Sequence, residues 1–337
     1  MLAKTPKRLS ERGPEVEADI RSDGAPPSIF VTAQDGLRLH VREYGPRLAS
    51  ALPLVCLPGL ARTTADFDAL APALASGPPA RRVIAIDSRG RGRSDYDNNP
   101  ANYNVAVELG DVITVLTALE IGQAVFIGSS RGGILTMLLA VAYPAAIAGA
   151  VLHDIGPVIE PAGLARIKSY VGKLPQPRSY TEGAEFIRRL FGAQFPKLTD
   201  AQWLVSAQRT WKMSNGDLAP TYDVRLASTL TELDIAHPLP SMWNEFDALA
   251  RVPVLVIRGA LSDILSAATV TAMRARDPDM QIIEVPDQGH VPLLEGDELI
   301  RRIEEFVIRC ANERLGNVEG ANAGDAAAAR SGYLRQL

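Results

Sequence analysis

The chain has 337 residues, 47% of them apolar and 22% charged, with a formal net charge of −4. That balance excludes a wholly disordered chain and a collagen, and two cysteines, Cys56 and Cys310, are too few for a disulfide scaffold. A net negative chain carries no overall electrostatic footprint for nucleic acid or anionic lipid.

The N-terminus holds Lys4, Lys7 and Arg8, but acidic residues follow where a signal peptide would place its apolar run. No apolar stretch reaches the roughly 18 residues of a membrane span, so a cytoplasmic protein is expected. Both cysteines sit in apolar or helical runs and read as reduced core thiols. None of the four histidines (His40, His153, His237, His290) is close to either cysteine, so neither a metal site nor a cofactor is expected.

Residues 1–27 lack apolar periodicity and read as a disordered arm, and residues 313–337 read as a disordered Ala/Gly tail. Between them, short β-branched runs alternate with helical patterns, the mark of an α/β fold with helices on both faces of a mostly parallel sheet. Eight strands are predicted: Ile29–Thr32, Leu37–Tyr44, Leu54–Leu57, Val83–Ile86, Ala124–Ile127, Ala148–His153, Val254–Ile257 and Gln281–Val285. Asp35-Gly36 marks a hairpin between the first two. Helices are predicted near Ala65–Leu74, Val105–Leu119, Gly132–Ala142, Ala267–Arg276 and Glu298–Arg309.

The alternation fails after the sixth strand. Residues 157–246 show helical periodicity with no convincing strand, and all three tryptophans (Trp203, Trp211, Trp243) lie among the aromatics gathered there. A structureless loop of that length is improbable. A helical cap inserted into a core of residues 28–156 and 247–312 is expected, with the three tryptophans as candidate substrate contacts.

The decisive segment is Gly128-Ser129-Ser130-Arg131-Gly132, a G-x-S-x-G elbow between a predicted strand and a predicted helix. A bare match arises by chance about once in ten chains of this length, so its placement carries the weight. A chain reversing sharply from strand to helix holds the serine in a strained conformation beside the helix N-terminus, with no room for side chains at the flanking positions. A serine hydroxyl needs a base, and the base needs an orienting acid. His290, in the loop after the last strand, is the base candidate. Asp263, after the seventh strand, is the preferred acid, and Asp154, at the end of the sixth, competes with it. The oxyanion donors expected are the backbone N–H groups of Arg131 and Leu60. The Arg131 side chain is a candidate for a substrate carboxylate or for an ion pair. Arg89, Arg91 and Arg93, interleaved with Gly90 and Gly92, read as a structural turn, because no third glycine completes a nucleotide-binding motif.

With Leu57-Pro-Gly-Leu60, the Asp87–Asp95 loop, the elbow, Gly259-Ala-Leu-Ser-Asp263 and Gln288-Gly-His290, the chain resembles the α/β-hydrolase superfamily over residues 28–312. The similarity is to its cap-bearing branch of esterases, epoxide hydrolases and haloalkane dehalogenases. The resemblance implies a Ser130–His290–Asp263 triad, an oxyanion hole from Leu60 and Arg131, and a cap over the pocket. Pro58 stands where many relatives have His, and Ser129 and Arg131 flank the nucleophile where they often have His or Asn and Met. Epoxide hydrolases and dehalogenases of this shape use Asp as nucleophile, so Ser130 points instead to acyl transfer to water.

The expected function is a cofactor-free serine carboxylesterase acting on small to medium apolar esters, with a small-molecule substrate and water as its only partners. The same groups would serve a lactonase, a carbon–carbon bond hydrolase of aromatic degradation, an acyltransferase or a slow-turnover ligand sensor.

Overall fold

The computed structural model describes residues 15–19, 27–231 and 239–314. Residues 315–337 of the C-terminal tail, most of the N-terminal arm and His237 therefore lie outside the described residues, while residues 313 and 314, expected as disordered tail, are helical. Where the arm is described it corrects the expectation, because Val16–Asp19 forms a strand, β1, paired antiparallel with β2 (Ser28–Thr32).

All eight predicted strands form, with ends displaced by one or two residues where they move at all. After β2 come β3 (Arg38–Tyr44), β4 (Leu54–Leu57), β5 (Val83–Ile86), β6 (Ala124–Ser129) and β7 (Ile147–His153). The sheet is completed by β10 (Val254–Gly259) and β11 (Gln281–Val285), giving nine strands in the order β1-β2-β3-β5-β4-β6-β7-β10-β11. From β5 to β11 every pairing is parallel, and β1, β2 and β3 form the antiparallel edge.

Every residue of β4, β5, β6 and β7 is buried, which explains their continuous apolar runs: both faces are covered. The two-residue period of a strand divides each between two cores. Phe126 faces the core built on α2 (Val105–Ala118), α3 (Arg131–Ala142), α8 (Trp243–Asp247) and α9 (Ala267–Arg276). Val125 and Ile127 face the other, built on α1 (Leu70–Ser76) and a C-terminal helix, α10, over 297–314.

Between β7 and α8 the chain builds α4 (Pro161–Tyr170), α5 (Tyr180–Phe191), α6 (Asp200–Thr210) and α7 (Ser228–Thr231). A capping box starts α6, with Thr199 and Gln202 each satisfying the other's backbone N–H. The segment carries an apolar cluster of its own around Ile187, Phe195, Trp203, Ala207 and Trp211.

It also contains strands, which corrects the helical expectation. β8 (Trp211–Ser214) and β9 (Asp217–Pro220) pair antiparallel around Asn215-Gly216, whose φ values are +52° and +93°. Two successive positive φ values make the tight turn that suits a right-twisted hairpin, and Asn-Gly is the dipeptide that tolerates it best.

Because β1 is separated from β6 by four strands, deleting residues 1–26 is expected to lower the melting temperature by roughly 2–6 °C and to leave Ser130 as reactive as before. Differential scanning fluorimetry alongside fluorophosphonate labelling checks both, and lost labelling at unchanged melting would contradict this assignment.

Candidate active site

Ser130 sits between β6 and α3 with φ +50° and ψ −112°, outside the regions open to most residues and costing about 1–3 kcal/mol. The surroundings hold it there. Its N–H continues the β6–β7 ladder by donating to the His153 carbonyl at 2.9 Å. Both flanking glycines are required by close approach: a Cβ on Gly128 would come within 2.5 Å of the Gly132 carbonyl oxygen, and one on Gly132 within 2.0 Å of that of Leu57.

The Ser130 hydroxyl meets His290 Nε2 at 2.9 Å, and His290 Nδ1 meets Asp154 Oδ2 at 2.8 Å. An aspartate oxygen there selects the tautomer that carries hydrogen on Nδ1, leaving Nε2 to accept from the serine. Asp154 is fully buried and His290 nearly so. The Gly259 N–H also donates to Asp154 Oδ1 at 2.8 Å, and the Ser262 hydroxyl to Oδ2 at 2.6 Å.

This geometry corrects the expected acid. Asp263 does not bond to His290; it takes a two-pronged ion pair from Arg166 of α4 at 2.6 and 2.8 Å. Burial pushes the Asp263 carboxyl up, but the Arg166 guanidinium outweighs it and holds the group below its usual range. The difference follows from strand register. Ser129 pairs with His153, and His153 with Ile257, so Ser130 and Asp154 each stand one residue beyond neighbouring strand ends. Asp263 lies six residues beyond Ile257, and its carbonyl is docked on the Gly163 N–H of α4 at 3.0 Å.

Beneath the serine, His153 bonds to the Ser129 hydroxyl at 3.0 Å and to the Pro292 carbonyl at 2.9 Å. The carbonyl can only accept, so Nε2 carries the hydrogen and Nδ1 accepts from Ser129. Burial pushes its pKa down to about 4, which keeps it neutral near pH 7. It ties the elbow to the loop that carries His290.

The expected oxyanion donors flank Ser130. Arg131 opens α3, where an N–H has no carbonyl one turn back. Gly59 lies against the serine, since a Cβ there would be 3.6 Å from that of Ser130, and Leu60 lines the same cavity. The Arg131 side chain turns away from that cavity to Glu108 at 2.7 Å, which makes it an ion pair and not a substrate contact.

The cavity over Ser130 measures about 170 Å³ and is lined mostly by apolar side chains, with Tyr170, Phe191 and Trp203 contributed by the inserted segment. Trp203, an expected substrate contact, lines the cavity. Trp211 and Trp243 do not. Trp211 is buried in the segment's own core with its indole N–H on the Pro175 carbonyl, and Trp243 packs edge-on to Phe246 and under Arg276. Phe191, Phe195, Tyr170 and Tyr222 line the cavity instead, and nothing in their spacing marks them apart from the aromatics that do not. Two arginines also line it. Arg62 is paired with Asp66, whereas the Arg209 side chain has no hydrogen-bond or ion-pair partner among the described residues.

A second Ser–His–Asp arrangement is present. His40 bridges Asp87 at 2.7 Å and Ser28 at 3.0 Å. It is buried, its serine already accepts from Arg93 at 2.6 Å, and none of the three lines the cavity; it clasps β2 and β3 to the loop after β5. That loop is the structural turn expected, with Arg89 held by Asp35, Asp97 and Asp111. Both cysteine thiols are pushed up by burial, that of Cys310 to about 12. Among the described residues no cluster of metal-ligating side chains occurs, and no helix is long and apolar enough to cross a membrane.

Comparison with known proteins places the chain in a family. The alpha/beta hydrolase family profile matches residues 54–302. The chain is 33% identical over 262 residues to a 3-hydroxybutyrate-oligomer hydrolase of Cupriavidus necator, covering 76% of this chain and 87% of that protein. It is 25% identical over 279 residues to a 2-(acetamidomethylene)succinate hydrolase of Mesorhizobium japonicum, covering 82% and 92%. Among solved structures, an alpha/beta hydrolase from Novosphingobium aromaticivorans superposes with a TM-score of 0.77 at 38% identity, covering 89% of this chain and all of that one.

His153 makes stability depend on pH. Its folded pKa lies below the unfolded value near 6.5, so the unfolded chain binds more protons between about pH 4 and 6.5 and stability falls as pH drops through that window. The variant His153→Gln is expected to flatten this part of the melting-temperature profile against pH. An unchanged slope would show that His153 is not buried neutral.

Proposed function

The chain belongs to the alpha/beta hydrolase family, and we propose that within it this protein is a cofactor-independent serine hydrolase cleaving carboxylic esters of small to medium, largely apolar substrates. One observation carries the reading: a strained serine whose Oγ is 2.9 Å from His290 Nε2, backed by a buried Asp154, under an apolar cavity. Residues 157–246 act as the cap that shapes that cavity.

The chemistry follows from the geometry. As the Ser130 oxygen attacks the ester carbonyl, its proton passes to His290 Nε2, and Asp154 stabilises the imidazolium that forms. The carbonyl oxygen becomes an oxyanion that accepts from the Leu60 and Arg131 N–H groups, aided by the positive end of α3. His290 then returns the proton to the departing alkoxide oxygen, leaving an acyl group on Ser130. Water repeats the sequence, with His290 as base, and releases the acid.

A second reading concerns the charge of the substrate. Arg209 projects from the same face of α6 as Trp203 and Ser206 and is the unpaired cation lining the cavity among the described residues. It favours a substrate with a carboxylate some way from the scissile ester. An oligomer of 3-hydroxybutyrate, the compound class in the name of the Cupriavidus necator relative, has both an ester and a terminal carboxylate.

Ser130→Ala is expected to abolish both turnover and fluorophosphonate labelling. Asp154→Asn should lower kcat by about 10³–10⁴-fold, and Asp263→Asn by less than about tenfold. Retained labelling of the alanine variant, or a larger loss at Asp263 than at Asp154, would overturn the assignment. A panel of p-nitrophenyl esters of rising chain length, run beside hydroxyacid dimers with free and methylated carboxyl ends, tests the substrate class. Equal KM for the free and methylated dimers would remove the role given to Arg209.

A further inference from the structure

Glu108 lies on α2, outside the cavity, and is 1% exposed. Its Oε1 accepts from Arg91 Nη1 at 2.7 Å and its Oε2 from Arg131 Nε at 2.7 Å. Arg91, itself 1% exposed, donates through Nε to the Leu60 carbonyl at 2.7 Å and through Nη1 to the Arg89 carbonyl at 2.6 Å. Arg131 donates a further bond through Nη2 to the Tyr103 carbonyl at 3.1 Å. One carboxylate thus ties down, through two guanidiniums, the two residues proposed to supply the oxyanion donors beside Ser130.

We propose that Glu108 is a positioning residue for the oxyanion hole, setting the separation and direction of the Leu60 and Arg131 N–H groups through Arg91 and Arg131. The inference rests on the serine-hydrolase reading above.

Two considerations favour this over a purely structural ion pair. Leu60 is in a turn with no helix or strand ladder: the Arg62 N–H holds the peptide that bears the Leu60 N–H by bonding the Gly59 carbonyl, and Arg91 holds the next peptide through the Leu60 carbonyl, so together they limit how Leu60 can rotate. Arg131 is the first residue of α3, where the helix lacks intrahelical bonds to its N–H groups, and its side chain is anchored to a different helix. Donor placement matters because a displacement of about 1 Å in a reacting geometry can cost 10²-fold in rate. Burial pushes the Glu108 carboxyl up, but the two guanidiniums outweigh it and hold it below the usual range, so the bridge stays charged.

The test uses the full-length protein with active sites titrated by a fluorophosphonate, so that rates refer to folded enzyme. Glu108→Gln keeps the shape but weakens both charge-assisted bonds. It is expected to lower kcat about 10- to 100-fold, to leave the KM of a neutral p-nitrophenyl ester within about twofold, and to weaken binding of a trifluoromethyl ketone in proportion to kcat/KM. That ketone adds to the serine and places an oxyanion where the intermediate would have one. Arg131→Gln leaves the Arg91–Glu108 bond intact and is the second variant, in case the first does not fold; it should show the same pattern, and Arg131→Lys should recover part of the loss. A lowered melting temperature with unchanged kcat per titrated site and unchanged ketone affinity would overturn the proposal. Failure of the wild-type protein to label would instead overturn the serine-hydrolase reading, so the two failures are distinguishable.

Discussion

The register between β6, β7 and β10 is the constraint on which the site depends. Parallel strands share an edge, and here the pairings Ser129 with His153 and His153 with Ile257 bring the ends of β6 and β7 level with each other and two residues short of the end of β10. The residue after β6 is the nucleophile candidate and the residue after β7 is the candidate acid. Two backbone bonds extend the ladder past the strands, from Ser130 N–H to His153 and from Asp154 N–H to Ile257. Both residues have positive φ, +50° and +54°, so each turns out of the sheet at the same level. Such strain is tolerable only where the surroundings over-determine the backbone, and these two ladder bonds do so. A one-residue slip between β6 and β7 would direct the serine and the aspartate to different faces.

Placement, and not the identity of three side chains, is what separates the candidate site from its look-alike. Ser28, His40 and Asp87 reproduce the hydrogen-bonded chain with distances just as short. They lack a strained backbone that exposes the serine, a cavity in front of it and a helix N-terminus behind it. Ser28 also accepts a bond from Arg93, which competes for the lone pairs a nucleophile must have free. The same polar triad thus forms a clasp in one place and, in the other, the arrangement on which the proposed function rests.

Much of this was legible in the sequence because strong physics acts locally. The continuous apolar runs of β4, β5, β6 and β7 could only be strands covered on both faces, and Gly128 and Gly132 mark a turn that admits no side chain. The position of His290 after the last strand followed from the topology. Asp263 misled because chain order says only which strand a residue follows, whereas its distance beyond the strand end decides whether it stays at the sheet edge. Arg166, the residue that takes it away, is 97 positions distant. The hairpin of the inserted segment is a different failure: Asn215-Gly216 was a readable turn signal, obscured by the helical periodicity on either side. The tryptophans could not be sorted at all, because an aromatic facing a cavity and one facing a core have the same sequence signature.

The chemistry and the pocket are built by separate apolar cores, and the loop after β5 joins them. Gly90 accepts from the Asp223 N–H at 2.7 Å, Tyr103 donates to the Asp223 carboxylate at 2.6 Å, and Arg91 reaches from the same loop to Leu60 beside the nucleophile. The last two are charge-assisted hydrogen bonds, each worth about 1.5–3 kcal/mol. The inserted segment is therefore held on the side that faces Leu60. Its cavity-lining residues on α4, α5 and α6 have no such bonds to the reacting groups. Substitutions there can reshape the cavity while the serine, histidine and aspartate stay where the sheet register puts them. That separation lets one arrangement of side chains at the ends of β6 and β7 and after β11 stand beneath cavities of different shape; in the function proposed above, α4, α5 and α6 would decide substrate choice.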